Sequence, residues 1–273
     1  VTGHLPLSII KAHAYGNDFL YVARAEVERL DAAALAIRLC DRHRGVGADG
    51  LILYELTPDG AKMRLVNADG SHAELSGNGL RALAAIVVRH RAGHGEPVAT
   101  VRIDTDAGPR ELALTVRADP RFTFRASMGV PSGVRRERIE AAGEVVEASV
   151  FSIGNPQCVV LGPLPDDDRF ARLGPALERH PRFPNRTNVE FVDLESPDRA
   201  RIRIWERGVG PTESSGTGAC ASAIAAIAHD GAAHRVEVVS PGGSQVVEWD
   251  GASEVWLTGW AELIWEGTWL ADL

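Results

Sequence analysis

Two serine-glycine turns carry the strongest chemical signal in the sequence: Ser76-Gly77-Asn78-Gly79-Leu80 and Ser215-Gly216-Thr217-Gly218-Ala219. Each opens a run that is apolar nearly all round, residues 78–88 and 217–228. A helix without a polar face is normally buried. Its start presents unpaired backbone N–H groups and the positive end of the helix dipole. Glycine lets a ligand approach that backbone, so each turn can seat a carboxylate or a phosphate. Taken alone, either serine reads simply as an N-cap. Two matching copies 139 residues apart, about half the chain, point instead to one ligand site built by two pseudo-symmetric halves.

Dense polar clusters flank the turns. Asn67-Ala68-Asp69-Gly70 precedes the first, and Trp205-Glu206-Arg207-Gly208 precedes the second. Gly154-Asn155-Pro156-Gln157-Cys158 and Arg186-Thr187-Asn188-Val189-Glu190 supply further amides. Such Asn, Gly and Pro clusters are ordinarily turns. Glu206 with Arg207 is different, because charge at the end of an apolar strand needs a partner or a ligand. Other patterns fail on context. Gly45-Val46-Gly47-Ala48-Asp49-Gly50 fits GxGxxG, but a helix precedes it and a strand follows, the reverse of a dinucleotide site. His90 and His94 lack a third ligand nearby and Gly93 breaks their helix, so no metal site is expected. Asp166-Asp167-Asp168 reads as a solvated loop leading into a helix cap.

The elements that must position these groups are mostly short strands. Strand-like runs fall at 51–56, 63–66, 98–103, 111–116 and 122–127 in the first half. The second half has 145–153, 158–161, 189–194, 201–205, 235–239, 244–249 and 254–257, with a last strand near 263–270. Alternation is clear in Arg201-Ile202-Arg203-Ile204-Trp205, as for a half-buried strand. Helical patterns cover 32–40, with Asp31 as N-cap, and 168–179. Many strands around one buried helix, occurring twice, read as an α+β fold of two pseudo-symmetric domains, each a mostly antiparallel sheet wrapped around a central apolar helix. The halves are expected at 1–125 and 126–262, with the C-terminal strand, 263–273, returning to the first.

Composition sets the class. Of 273 residues, 45% are hydrophobic and 24% charged, the balance of a soluble protein with a sizeable core. No run approaches the roughly 18 apolar residues of a membrane helix. The start, Val1 to Leu7, has neither a basic nor an apolar leader region, which reads as no signal peptide. A formal charge of −8 argues against broad contact with nucleic acid or anionic membrane. Cys40, Cys158 and Cys220 are widely spaced and odd in number, so a reducing cytoplasm is expected rather than a disulfide framework.

These residues together resemble the diaminopimelate epimerase family over nearly the whole chain. The matching stretches are Lys11-Ala12-His13-Ala14-Tyr15-Gly16-Asn17-Asp18-Phe19, Cys40-Asp41-Arg42-His43-Arg44 with the glycine run after it, and Asn67-Ala68-Asp69-Gly70-Ser71. They continue through Gly77-Asn78-Gly79-Leu80-Arg81, Gly154-Asn155-Pro156, Asn188-Val189-Glu190-Phe191, Trp205-Glu206-Arg207-Gly208 and Gly216-Thr217-Gly218-Ala219-Cys220. The resemblance implies a two-domain, cofactor-free and metal-free isomerase that inverts a Cα centre of a small amino-acid substrate by two-base proton transfer. It implies epimerisation of LL-diaminopimelate to the meso form, or of a close analogue, as a step of lysine biosynthesis. A homodimer is left open as the assembly.

By the same resemblance, Asn67, Asn155, Asn188 and Arg207 hold the non-reacting end of the substrate, with Glu206 at its amino group, and Asn17 falls at a substrate-contact position. Gly77, Asn78, Gly216 and Thr217 cradle the reacting carboxylate. The catalytic set would be Ser76, Ser215 and Glu206, but the family places two cysteines at the serine positions and usually a His where Gln157 stands. His72, Pro211 and Glu213 also depart from the usual pattern. A thiol has a pKa of roughly 8.5. A serine hydroxyl is a far weaker acid and needs an adjacent base, a role Glu206 could take for Ser215. The readings beside epimerisation are therefore a lyase, an amino-acid-binding pseudoenzyme, and a Cys-to-Ser variant that has lost activity.

Overall fold

Strands, many of them buried on both faces, dominate the regular structure of this chain. A computed structural model describes residues 6–73 and 76–270. The order is β1 (Leu7–Ala14), β2 (Asn17–Ala23), α1 (Ala32–Cys40), β3 (Gly50–Thr57), β4 (Gly60–Asn67), β5 (His72–Ala73), α2 (Gly77–Gly93), β6 (Thr100–Thr105), β7 (Gly108–Ala118) and β8 (Arg121–Gly129). There follow β9 (Ser132–Ala141), β10 (Glu144–Ser152), β11 (Pro156–Leu161), α3 (Asp167–Glu178), β12 (Asn188–Ser196), β13 (Arg199–Glu206) and β14 (Gly210–Thr212). Last come α4 (Gly216–His229), β15 (Arg235–Ser240), β16 (Gly243–Glu248) and β17 (Val255–Trp269). The chain divides into two compact units, one running to Ala126 and resuming at Trp260, the other Ser127–Gly259.

The same pairing pattern occurs in each unit. In the first, β1 and β2 are antiparallel, β2 and β3 parallel, β3 and β4 antiparallel, β4 and β6 parallel, and β6 and β7 antiparallel. In the second, β10 and β11 are antiparallel, β11 and β12 parallel, β12 and β13 antiparallel, β13 and β15 parallel, and β15 and β16 antiparallel. The fold is α+β, with two copies of one mixed, mostly antiparallel sheet, each around a central apolar helix. A short pair repeats as well: β4 with β5, and β13 with β14.

Packing follows from the two-residue period of a strand. On β3, Ile52 faces α2 in one core, while Leu51 and Leu53 face α1 in another. On β12, Val192 faces α4, while Val189 and Phe191 face α3. Each sheet is therefore apolar on both faces and carries a buried helix on one side and an amphipathic helix on the other. Residues Asn78 through Val88 of α2 are all buried, as are Gly218 through Ala226 of α4, which explains why neither run has a polar face. Among the described residues no helix is long and apolar enough to cross a membrane.

Several expectations need correction. The runs at 254–257 and 263–270 form one strand, β17, which pairs along β1 from Leu7↔Trp269 to His13↔Glu262. Residues 1–5 and 271–273 lie outside the described residues. The first apolar helix is longer than its apolar run and ends at Gly93. Asp166 is the N-cap of α3, accepting from Arg169 N at 2.8 Å, and Asp167 and Asp168 belong to its first turn. Strands β1, β2, β5, β9 and β14 were not read from the pattern.

Gly174 of α3 sits where a Cβ would lie 2.7 Å from the Trp205 ring. That ring ends β13 just before Glu206, so the helix can approach only because the side chain is missing. Gly174→Ala is expected to destabilise the protein by about 1–3 kcal/mol through overpacking, read as a lower urea midpoint with an unchanged slope.

Candidate active site

Both predicted serine turns are capped helix starts. Ser76 has extended backbone, and its Oγ accepts from Gly79 N at 3.1 Å; Ser215 Oγ accepts from Gly218 N at the same distance. The ordinary N-cap role is thus real at both positions. Ahead of each cap bond, the amides of Gly77 and Asn78, and of Gly216 and Thr217, belong to the turn whose donors lack intrahelical acceptors. A Cβ built on Gly77 would meet nothing within 4 Å, so the backbone there is open to a ligand. Gly79 is glycine for the opposite reason, since its Cβ would lie 2.7 Å from Ile52 Cδ1.

In the first unit Asn17 and Asn78 come together. Asn78 Nδ2 donates to Asn17 Oδ1 at 3.3 Å, and Asn17 Nδ2 donates to Asp49 Oδ2 at 2.7 Å. The buried Arg81 donates to Asn78 Oδ1 and lies over the Tyr15 ring at 5.7 Å. Asp49 also binds Arg42, which clasps Asp18, and Lys11 completes the pair with Asp18 at 2.9 Å. Burial opposes ionisation of Asp18, but the Arg42 and Lys11 contacts outweigh it and hold its carboxyl below the ordinary range. Asn67 is separate: its Nδ2 donates to Ser71 Oγ at 2.9 Å, within the turn after β4.

In the second unit Asn155, Thr217 and Ser215 come together. Asn155 Nδ2 lies 3.5 Å from Thr217 Oγ1, and Thr217 Oγ1 lies 3.3 Å from Ser215 Oγ. Asn188 and Arg207 also meet, through Arg207 N donating to Asn188 Oδ1 at 2.9 Å. The Arg207 guanidinium is exposed and reaches Asn185 O at 3.3 Å. Beside it, the buried Glu178 takes Gly208 N at 2.9 Å and Arg186 at 2.9 Å, which pins the loop after β13.

Glu206 is half-buried, and among the described residues no group pairs with its carboxylate. Desolvation pushes its pKa above the ordinary carboxylate value. An unpaired acid of this kind is available to a ligand's cation or to a proton. The pattern reading missed Asp49, Arg81 and Glu190 as members of these clusters. Glu190 is fully buried, and burial, with Glu206 adding repulsion, raises its pKa well above the ordinary value.

All three cysteines are buried. Cys40, Cys158 and Cys220 are 3%, 0% and 0% exposed and sit in three different apolar cores. Burial pushes Cys40 up to about 12 and drives Cys158 further still. Neither thiol can ionise at neutral pH.

A sequence model of the diaminopimelate epimerase family matches residues 9–134 and 149–264. The chain belongs to the diaminopimelate epimerase family. It is 42% identical to the diaminopimelate epimerase of Desulforudis audaxviator over 285 aligned positions, covering 97% of this chain and 99% of that one. It is 37% identical to the diaminopimelate epimerase of Desulfitobacterium hafniense, again over 97% of this chain and 99% of the relative. Among solved structures, a PhzF-family phenazine biosynthesis protein from Bacillus anthracis shares the fold with a TM-score of 0.71 at 17% identity, covering 98% of this chain and all of that one. A hydroxyproline epimerase from Agrobacterium vitis shares it with a TM-score of 0.67 at 16% identity, covering 96% and 92% of the two chains.

The buried cysteines set this chain's expected chemical behaviour. In the native state a disulfide reagent such as Ellman's should titrate none of the three thiols within minutes, and all three after denaturation. Rapid native labelling of even one would contradict the burial described.

Proposed function

We propose that the chain is a cofactor-independent amino-acid epimerase that converts LL-diaminopimelate to the meso form. The observation that carries the reading is the duplicated turn: a capping serine at the start of a buried helix, followed by amides open to a carboxylate. Family membership supplies the substrate class, and the two turns supply what inversion needs. Removing a proton from Cα leaves charge that spreads into the adjoining carboxylate. Helix-start amides at that carboxylate would stabilise the charge where it develops.

Two-base inversion calls on one group to take the Cα proton and another to return one to the opposite face. Ser76 and Ser215 are the side chains at the two turns, with Glu206 as the third proton-handling group. Gly77, Asn78, Gly216 and Thr217 would cradle the reacting carboxylate. Asn17, Asn67, Asn155, Asn188 and Arg207 would bind the distal amino-acid group, Arg207 through its exposed guanidinium and Glu206 through a charge pair with the ammonium. Serine is a weaker acid than cysteine, so turnover should be slower than a thiol pair allows.

The test is α-deuteration of LL-diaminopimelate in D₂O, followed by NMR. The wild-type protein should exchange the α-proton, and Ser76→Ala and Ser215→Ala should each lower exchange by about a hundredfold or more, in line with loss of a group acting in proton transfer. The rate should fall as pH drops through the raised pKa of Glu206, because the ionised form is the one that can accept a proton or pair with the ammonium. Glu206→Gln should flatten that acidic limb. Calorimetric binding without any exchange would overturn catalysis in favour of an amino-acid-binding protein, and release of ammonia would point to a lyase.

A further inference from the structure

The duplicated sheets offer an internal control for what lies beneath each helix start. At the parallel junction of β2 and β3, Phe19 pairs with Gly50; at that of β11 and β12, Gln157 pairs with Asn188. Two residues further along the second strand of each pair stand Ile52 and Glu190. In the first unit a Cβ on Gly79 would touch Ile52 and Phe19, at 2.7 and 3.5 Å. In the second, a Cβ on Gly218 would lie 3.1 Å from Glu190 Oε1. One unit supports its capped glycine with an apolar pair, the other with a fully buried amide and acid. Packing alone does not require the polar pair, because the same position is filled without one.

The polar pair is wired to Ser215. One end atom of the Gln157 amide lies 3.1 and 3.3 Å from the two Glu190 oxygens and the other lies 2.6 Å from Asn155 Oδ1; with the oxygen turned to Glu190, Gln157 Nε2 donates to Asn155 Oδ1. Asn155 Nδ2 then points to Thr217 Oγ1, and Thr217 Oγ1 to Ser215 Oγ, at 3.5 and 3.3 Å. Oxygen against oxygen at 3.1 Å is favourable only with a proton between them. Turning the Gln157 amide over would suit an ionised Glu190 but would set its oxygen 2.6 Å from Asn155 Oδ1. Both amides would then have to turn, and Thr217 would have to donate away from Ser215. Protonation of one buried acid and the direction of one hydroxyl are therefore linked.

We propose that Glu190 is a neutral carboxylic acid that, through Gln157, Asn155 and Thr217, fixes Ser215 as the proton-donating serine. Glu190 donates to Gln157 Oε1, each amide donates onward, and the Thr217 hydroxyl donates to Ser215 Oγ. That oxygen then receives two donors, Thr217 and Gly218 N, and its own hydrogen is left for the substrate. No proton passes through the amides; they transmit orientation only, so Glu190 is a positioning residue. Groups facing Glu190 agree with neutrality: Gln157 from β11, Gly218 from α4, and the unpaired Glu206 from β13, whose charge opposes a second one. Desolvation acts in the same direction. This inference rests on the epimerase reading for its catalytic consequence, but not for the state of Glu190.

Infrared difference spectroscopy of the full chain tests that state directly. At neutral pH the wild-type protein should show the carbonyl stretch of a protonated carboxyl that is absent from Glu190→Gln. In the deuteration assay, Gln157→Leu should lower kcat about tenfold or more, because the Thr217 hydroxyl is no longer held toward the Ser215 oxygen. Glu190→Leu should match it. Glu190→Gln, which still donates to Gln157, should keep kcat within about threefold of wild type. Thermal melts identify any variant that fails to fold, and the spectrum of the wild type stands regardless. An active protein without the carboxyl band, or a folded Gln157→Leu with wild-type kcat, overturns the relay. An inactive wild type that shows the band contradicts the epimerase reading while supporting the neutral acid.

Discussion

A serine oxygen that accepts the third amide of a largely buried helix fixes this molecule at two places. The bond from Gly79 N to Ser76, and its twin from Gly218 N to Ser215, set where each central helix begins and which way the serine points. Everything nearby is arranged around that short contact. The helices carry small residues because strands press on them from all sides. Gly79 and Gly218 lack side chains because Ile52 and Glu190 occupy the space a Cβ would need. The amides ahead of the cap stay open because the serine has taken only one donor.

The two copies of this device differ in how they are anchored. In the first unit a cation, Arg81, holds Asn78, which holds Asn17, which is held in turn by Asp49. In the second an acid, Glu190, stands behind Gln157, Asn155 and Thr217. A duplicated fold thus gives two helix starts of the same capping geometry with different polar groups behind them. Such asymmetry suits the unlike roles proposed for the two hydroxyls, since identical surroundings would give them identical acidity.

The turns and both apolar helices were legible in the sequence because serine capping and an unbroken apolar run leave local signatures. Asp31 and the 32–40 helix were equally local. What was not legible depends on contacts far along the chain. Strand β9 reads Ser-Gly-Val-Arg-Arg-Glu-Arg-Ile-Glu-Ala, charged and mostly outward, and is a strand because β10 supplies its ladder. Glu190 lies inside an apolar strand motif, and nothing local shows that its carboxyl meets an amide from the adjoining strand. Register alone puts Gln157 opposite Asn188 and brings Glu190 within reach. The missing strand break in β17 has the same origin, since β16 pairs with its first part and β1 with its last.

Whether two separate serines act on one Cα, as proposed, is read from the early-time partition of solvent label. With LL-diaminopimelate in D₂O, the delivering serine enters turnover carrying deuterium, while the serine that takes the substrate proton has first passed its own deuteron to solvent or a neighbouring base. Product formed in the first few per cent of reaction should therefore carry deuterium at the inverted Cα, while the unconverted substrate remains almost fully protonated. Equal labelling of substrate and product, or product that retains the substrate's own proton, would show a single base serving both faces and contradict the account.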